Sequence, residues 1–289
     1  LGQRYDAIVS IQTDRYGQVS DVDEDEQVTV LFYPVTDEQD DYVVLGYFWP
    51  GDLYQPDPSI GYSNQKEMIY LSTDLLTNDL YKASGDHTFS HELQHLITYS
   101  QRYIFRNPFE YEVMDTWLDE ALSESVAFEV VPEYRHSAHL SNEYIHNDLP
   151  LMSNQFDEDH YSLAYLFLQY SRIQAQHTTQ FYQDLILSPK GDYRAFEDLL
   201  CEFNPYFNDF NSLFASFKVA NLLQKKTGIF GYRNESDSFA ISSPILLRAS
   251  GDTLAPTSGK YFDLDDTLWS RFDSTKAGSN VIYFRILGR

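Results

Sequence analysis

The chain has 289 residues, of which 44 are acidic and 20 are lysine or arginine, so its formal net charge is −24. This acidity argues against nucleic-acid binding, because phosphates are repelled by a surface without a clustered basic patch. Hydrophobic residues make up 43% and aromatic residues 16% of the chain, which excludes a disordered protein. No apolar run reaches the roughly 18 residues of a transmembrane helix, and a single cysteine, Cys201, excludes an intrachain disulfide.

The first part of the chain predicts one helix followed by strands. Apolar residues recur at helical spacing within residues 3–17. After an acidic segment at 21–26, three short apolar runs bounded by Asp, Gly, Pro or Asn each predict a strand. These runs are residues 28–35, 42–49 and 68–72. We expect this part, residues 1–85, to form a mixed β-sheet lobe.

From about Ser84 the apolar spacing becomes helical. The predicted helices are residues 87–103, 116–131, 159–175, 178–187, 193–201 and 206–223. Short alternating segments return near the C-terminus, at residues 239–247, 260–264, 268–272 and 281–287. We therefore predict an α+β fold with a helical lobe at residues 86–235 and a small β-rich subdomain at 236–289. The sequence leaves open whether that subdomain is a lid, a docking module or plain packing.

The most informative segment is Ser90-His91-Glu92-Leu93-Gln94-His95, which contains the H-E-x-x-H pattern of zinc metalloproteases. Two histidines four residues apart share one face of a helix, so two imidazole nitrogens can bind one metal ion. Apolar residues occupy the opposite arc of the same segment, which indicates a buried helix with one face open to a cleft. We predict that His91 and His95 bind zinc and that Glu92 acts as the general base.

The third ligand separates the classes of zinc protease. The metzincin pattern needs Gly and His at three and six residues after the second His, where this chain has Thr98 and Gln101. The alternative is a glutamate on a following helix. Residues 116–124 supply Glu120 and Glu124 on the face opposite their apolar residues. We predict that Glu120 binds the metal and that Glu124 accepts a hydrogen bond from the outer nitrogen of a liganding histidine.

Two segments together, His-Glu-Leu-Gln-His-Leu-Ile at 91–97 and Trp-Leu-Asp-Glu-Ala-Leu-Ser-Glu at 117–124, resemble the hyicolysin-type neutral zinc metalloendopeptidases within the gluzincins. Residues 66–71 and 160–167 are similar to that family too. The resemblance implies a thermolysin-like fold, one zinc ion per chain and secreted endopeptidase activity. It also leads us to expect the strand at 68–72 to lie at a sheet edge, where it could pair with an extended substrate.

Two further expectations concern the compartment and calcium binding. The acidity, the start at Leu1 rather than Met and the resemblance together suggest a mature chain that is secreted or held on a bacterial cell surface. The acidic segment departs from a calcium-binding loop, because Glu26 stands where glycine is needed and Phe32 where a bidentate glutamate is needed. We therefore expect no calcium there.

Two neighbouring residues are candidates for the group that stabilises the transition state. Residues 161–164 are similar to the Tyr-x-x-Gly helix start of gluzincin aminopeptidases, so Tyr161 is the first candidate and His160 the second. The Gly-x-Met-Glu-Asn segment that binds a substrate amine in those aminopeptidases is missing, which favours an endopeptidase. The remaining histidines show no ligand spacing and are expected to face solvent; they are His87, His136, His139, His146 and His177.

Two rival functions fit the same residues. A binding or adhesion protein could keep the zinc helix for structure alone, but Glu92, which such a protein could lose without unfolding, is present. A zinc hydrolase acting on something other than peptides is the second rival, and no recognisable phosphate-binding or sugar-binding segment supports it. We therefore predict a monomeric zinc metalloendopeptidase that hydrolyses protein or peptide substrates with an activated water.

Overall fold

The computed structural model describes residues 1–35, 43–58, 61–132, 136–146, 148–153, 157–176, 179–232, 241–243, 254 and 256–261. The chain divides into two compact units, the first made of Leu1–His136 with His177–Leu199 and the second of Ser137–Gln176 with Leu200–Arg289. The boundaries of these units differ from the predicted boundaries at residues 85 and 235. The division into three parts therefore stays a prediction. Most of the four predicted C-terminal strands lie outside the described residues, and residues 241–243 and 260–261 have no regular structure.

The first unit begins with helix α1 (Gly2–Tyr16) and a small mixed sheet. The strands are β1 (Thr29–Tyr33), β2 (Gly46–Phe48) and β3 (Met68–Ser72), in the spatial order β1-β3-β2. Strand β1 runs parallel to β3, and β2 runs antiparallel to it. Every residue of β3 is buried, and a strand lies on each side of it. The prediction that residues 68–72 form a sheet edge is therefore wrong, and within the described residues β1 and β2 are the edges.

Helices make up most of the remaining chain, which confirms the α+β class. In chain order they are α2 (Asp74–Thr77), α3 (Gly85–Tyr99), α4 (Thr116–Val130), α5 (His136–Ser141), α6 (Glu158–Gln174), α7 (Thr179–Leu187), α8 (Arg194–Phe203) and α9 (Phe210–Leu223). A π-helical turn, Ser100–Ile104, directly follows α3. The six helices predicted after Ser84 all form, with ends that shift by a few residues. Helices α2 and α5 were not predicted, because such short segments show no helical period. No helix among the described residues is both long and apolar enough to cross a bilayer.

Helix α3 is packed against α1 as well as the sheet and α4. Tyr5 of α1 stacks on Phe89 with ring centroids 4.0 Å apart. The buried amide of Gln12 donates to the carbonyl of Ser90 at 3.1 Å and accepts from the Ser90 hydroxyl at 2.6 Å. At the far end of α1, the Tyr16 hydroxyl donates to Glu129 of α4 at 2.8 Å. Helix α1 therefore holds both α3 and α4 in place through apolar and polar contacts.

A fully buried arginine fixes the end of the α3 segment. Arg102, in the π-helical turn, donates through its guanidinium to the carbonyls of Ile186 at 3.1 Å, Glu112 at 2.7 Å and Lys190 at 3.3 Å, and also to that of Ser188. Ile186 lies in the last turn of α7, where a helix leaves its carbonyls unpaired, and the other three carbonyls lie outside helices and strands. The arginine thus ties the turn after α3 to the chain that follows α7.

The second unit contains an aromatic core between α6 and α9. Phe167 packs on Phe217 and Phe210, with ring centroids 5.4 and 5.5 Å apart. Two histidines expected to face solvent are buried in this unit, so that expectation was wrong for them. His139 lies 2.9 Å from the Ser162 hydroxyl, and His146 lies 2.9 Å from the carbonyl of Ser242. Both rings are buried because polar groups of neighbouring segments pair with them. The side chains of His136 and His177 lie outside the described residues.

Replacing Arg102 with methionine should destabilise the protein by at least about 3 kcal/mol, because several buried carbonyls lose a charged donor at once. The measurement is the urea unfolding midpoint followed by circular dichroism. Arg4→Met is the matched control, since Arg4 is 64% exposed and its ion pair with Asp86 is a surface contact. Equal midpoints for the two variants would contradict the role assigned to Arg102.

Candidate metal centre

Helices α3 and α4 bring His91, His95 and Glu120 together in the first unit. The Nε2 atoms of the two histidines are 3.1 Å apart, and the Glu120 Oε2 atom lies 3.0 Å from the first and 3.6 Å from the second. A tetrahedral zinc ion with bonds of ~2.0–2.1 Å places its ligand atoms about 3.3–3.4 Å apart. The three atoms therefore form one triangular face of such a coordination sphere.

The chemistry of these three donors also fits zinc. Two imidazole nitrogens and one carboxylate oxygen are the protein ligands of the His₂Glu class of catalytic zinc sites, which keep a fourth position for water or substrate. Two neutral imidazoles cannot share a hydrogen bond when both turn a lone pair inward. The close approach of His91 and His95 is thus the arrangement that a shared cation stabilises.

Each histidine is oriented by a carboxylate on its outer nitrogen. Glu124 Oε2 lies 3.0 Å from Nδ1 of His91, and Asp119 Oδ2 lies 3.0 Å from Nδ1 of His95. A proton on Nδ1 of each ring satisfies both carboxylates and leaves the Nε2 lone pairs directed at the triangle. The sequence had indicated this position for Glu124 but missed Asp119. Each liganding histidine needs a hydrogen-bond acceptor on its outer nitrogen. Two histidines therefore require two acceptors, and this requirement could have identified Asp119, the acid next to Glu120.

Glu92 is buried beside the same triangle, with 8% of its surface exposed. Burial raises the pKa of its carboxyl group, and the nearby imidazoles of His91 and His95 oppose that shift. A carboxylate whose pKa is raised toward neutrality is better suited to accept and return a proton than a solvated one. The residue is not part of the triangle itself.

The charges of the site shift the pKa values of the three triangle residues in opposite directions. Burial lowers the pKa of His91, but its hydrogen bonds to Glu120 and Glu124 outweigh burial and raise that pKa to about 9. The pKa of His95 is raised well above its usual value, because the charges of Asp119 and Glu120 outweigh the burial of the ring. Burial alone would raise the pKa of Glu120, yet the two adjacent histidines lower it. Without a metal ion, the carboxylates of this site therefore favour the protonated form of the two histidines.

His87 is buried on the same helix face, so the expectation that it faces solvent was wrong. Its Nε2 atom lies 3.5 Å from Glu124 Oε1. The signal for this contact was available, because His87 stands four residues before His91 and residues at that spacing share a helix face. It was overlooked because only pairs of metal ligands were sought.

The two candidates for transition-state stabilisation, His160 and Tyr161, lie in the first turn of α6, in the second unit. Asp157 is the N-cap of that helix and accepts hydrogen bonds from the backbone of Asp159 and His160. Its carboxylate also holds Nδ1 of the His160 ring at 2.7 Å. The metal centre lies wholly in the first unit, and the catalytic roles of these two residues stay predictions.

A second group of carboxylates in the first unit, Asp21, Asp23 and Asp25, lies in the acidic segment. The Lys66 ammonium contacts Asp23 and lies 2.9 Å from Asp25 Oδ2. A protein cation thus already neutralises part of this cluster. The absence of calcium there stays a prediction.

The chain is similar in sequence to a known protein. The chain is 27% identical over 276 residues to a protein of Staphylococcus hyicus named neutral metalloprotease ShpI. The aligned region covers 91% of this chain but 61% of the relative, so the chain spans less than two thirds of that protein. No protein-family model matches the chain. The chain is therefore similar to a neutral metalloprotease along most of its own length.

Removing Glu120 should weaken zinc binding more than removing either outer carboxylate, since only Glu120 belongs to the triangle. We expect Asp119→Asn to lower zinc affinity by about 10–100-fold, as is usual for a partner of a liganding histidine, and Glu120→Ala to lower it further. Competition against a chromophoric chelator measures both. The matched control is Glu110→Gln, which changes an exposed carboxylate and should bind zinc like the wild type. A larger loss for Asp119→Asn than for Glu120→Ala would reverse the assignment.

Zinc binding at pH 7 should release at least one proton per ion. The pKa of His91 is raised to about 9 in the metal-free site, so the ring is protonated at pH 7 and must lose that proton to bind a metal. Apparent zinc affinity should accordingly rise with pH between pH 7 and about 9. Calorimetry in two buffers with different ionisation enthalpies measures the released protons. Identical binding enthalpies in both buffers would show that the histidines are already neutral.

Proposed function

We propose that this chain is a zinc-dependent metalloendopeptidase of the hyicolysin type, with His91, His95 and Glu120 as the ligands of one zinc ion. The observation that carries the proposal is the triangle of their ligand atoms beside the buried carboxylate of Glu92. Similarity to a protein named neutral metalloprotease supports proteins or peptides as the substrates. We further propose that the enzyme acts as a monomer outside the cell or on its surface, with a gluzincin fold.

The residues of the site divide the chemistry between them. His91, His95 and Glu120 would hold the zinc ion, which would supply Lewis acidity toward a water molecule and the carbonyl of the bond to be cleaved. Glu92 accepts the proton of the attacking water and later donates it to the leaving nitrogen. Asp119 and Glu124 keep the protons of His95 and His91 on Nδ1, so that the opposite nitrogens stay available as ligands. Tyr161, with His160 as the alternative, is proposed to donate a hydrogen bond to the developing oxyanion.

The sheet offers a place for an extended peptide beside α3. Strand β3 is already paired on both sides, so the proposed pairing moves to β2, an edge strand among the described residues. Strand β2 packs closely on α3: a Cβ atom at Gly46 would lie 3.0 Å from Cγ2 of Thr88. The free edge of β2 therefore starts next to the helix that carries the metal ligands.

A catalytically inactive binding or adhesion protein is the alternative function. Glu92 distinguishes the two, because this carboxylate has no place among the zinc ligands and its burial has a cost that a purely structural site need not bear. Neither the site nor the similarity to a metalloprotease favours the inactive alternative.

Glu92→Gln should abolish casein hydrolysis and leave about one zinc ion per chain, because the amide cannot accept a proton but fills the same space. Hydrolysis is followed with dye-labelled casein, and zinc content by elemental analysis after gel filtration. Chelation should stop the wild-type reaction, and added zinc should restore it. Wild-type activity in Glu92→Gln would show that another group is the base.

A peptide blocked at its N-terminus should be cut at internal bonds. The reason is that no recognisable segment binds a free substrate amine, so the enzyme has no need of one. The measurement is mass spectrometry of the products from an acetylated peptide and from the same peptide with a free N-terminus. Release of single N-terminal residues from the free peptide alone would identify an aminopeptidase instead.

A further inference from the structure

A third histidine stands in line with the two proposed ligands on the face of α3 that meets α4. His87 precedes His91 by four residues, so one turn separates the two rings. The side chains of His87 and Glu124 are each only 3% exposed. The Glu124 carboxylate therefore lies in a buried space between two imidazoles of the same helix.

The two oxygens of Glu124 have different partners. Oε2 lies 3.0 Å from Nδ1 of His91, and Oε1 lies 3.5 Å from Nε2 of His87. A buried carboxylate held through one oxygen can still turn about its side-chain bonds, whereas contacts on both oxygens restrict it. At 3.5 Å the contact with His87 is longer than a hydrogen bond, so its effect on the Glu124 charge is electrostatic.

The ring of His87 is itself restrained by helix α4. It packs edge-on against Phe128, with centroids 5.7 Å apart and an angle of 75° between the rings. Phe128 follows Glu124 by one helical turn, so the same face of α4 supplies both the aromatic contact and the carboxylate. This packing directs the ring of His87 along α4 toward Glu124.

We infer that His87 is a positioning residue for the metal centre: it holds Glu124 in the orientation that keeps the His91 proton on Nδ1 and the Nε2 lone pair toward the metal. The inference rests on the proposed zinc site. His87 does not touch the metal in this arrangement: it contacts Glu124, and Glu124 contacts the ligand His91.

Two substitutions separate the polar contact from the shape of the ring. His87→Phe keeps a ring against Phe128 and removes both ring nitrogens, whereas His87→Gln removes the ring and keeps a polar amide. Zinc affinity, measured by chelator competition, should fall by about tenfold in His87→Phe and stay within about threefold of wild type in His87→Gln. His139→Phe, which changes a buried histidine of the second unit, is the matched control and should not alter zinc affinity. Melting of the chelated proteins checks that each variant folds.

A double-mutant cycle with Glu124→Ala tests whether His87 acts through Glu124. We expect His87→Phe to have no further effect on zinc affinity in the Glu124→Ala background. In the zinc-loaded protein, long-range ¹H–¹⁵N spectra should show the Nδ1 proton of His91 shifted or exchanging faster in His87→Phe but not in His139→Phe.

The outcomes distinguish this inference from the proposed function. A wild-type protein that binds no zinc would overturn both. Normal zinc binding by the wild type together with unchanged affinity in His87→Phe would overturn the role of His87 alone. Additive losses in the double mutant, or a greater loss in His87→Gln than in His87→Phe, would show that the ring acts by its shape.

Discussion

The interface between α3 and α4 must satisfy three largely buried imidazoles and three carboxylates at once. Burying any of these groups alone would be costly, so the two helices are held in the one register that pairs them. His91 and His95 on one helix meet Asp119, Glu120 and Glu124 on the other within about one hydrogen-bond length. Helix α1 supports this register by contacting both. The position of the metal site thus follows from the need to compensate buried charge.

The acidic surroundings of the two histidines determine how the site handles protons. Carboxylates on the outer nitrogens increase the electron density of the rings, which strengthens them as ligands but also raises their affinity for protons. The pKa of Glu92 is raised too, in its case because burial disfavours its charged form. The site therefore favours the protonated form of the rings and of this carboxyl group alike.

Local spacing was enough to predict the parts of this site that lie on one helix or on consecutive helices. The four-residue spacing of His91 and His95 indicates a shared face, and Glu120 follows on the next helix with a clear apolar arc. Spacing was not enough for the order of strands in the sheet, where β3 proved central because β1 pairs with it across a long stretch of chain. Asp119 and His87 were missed although the sequence carries a signal for each, since Asp119 adjoins Glu120 and His87 stands four residues before His91. Their partners on the other helix depend on the register of α3 against α4.

The first unit is discontinuous in sequence, and this affects how the protein folds during synthesis. Arg102 follows the metal helix closely, but most of its carbonyl partners lie at Ile186, Ser188 and Lys190, beyond the whole first stretch of the second unit. A nascent chain that has not yet emerged past residue 190 cannot bury this guanidinium with its acceptors. Contacts so distant in sequence slow folding and prolong the lifetime of partly folded chains. Helix α3 therefore emerges from the ribosome well before the carbonyls that bind Arg102. Until those residues emerge, apolar surface of the first unit stays accessible to chaperones and proteases.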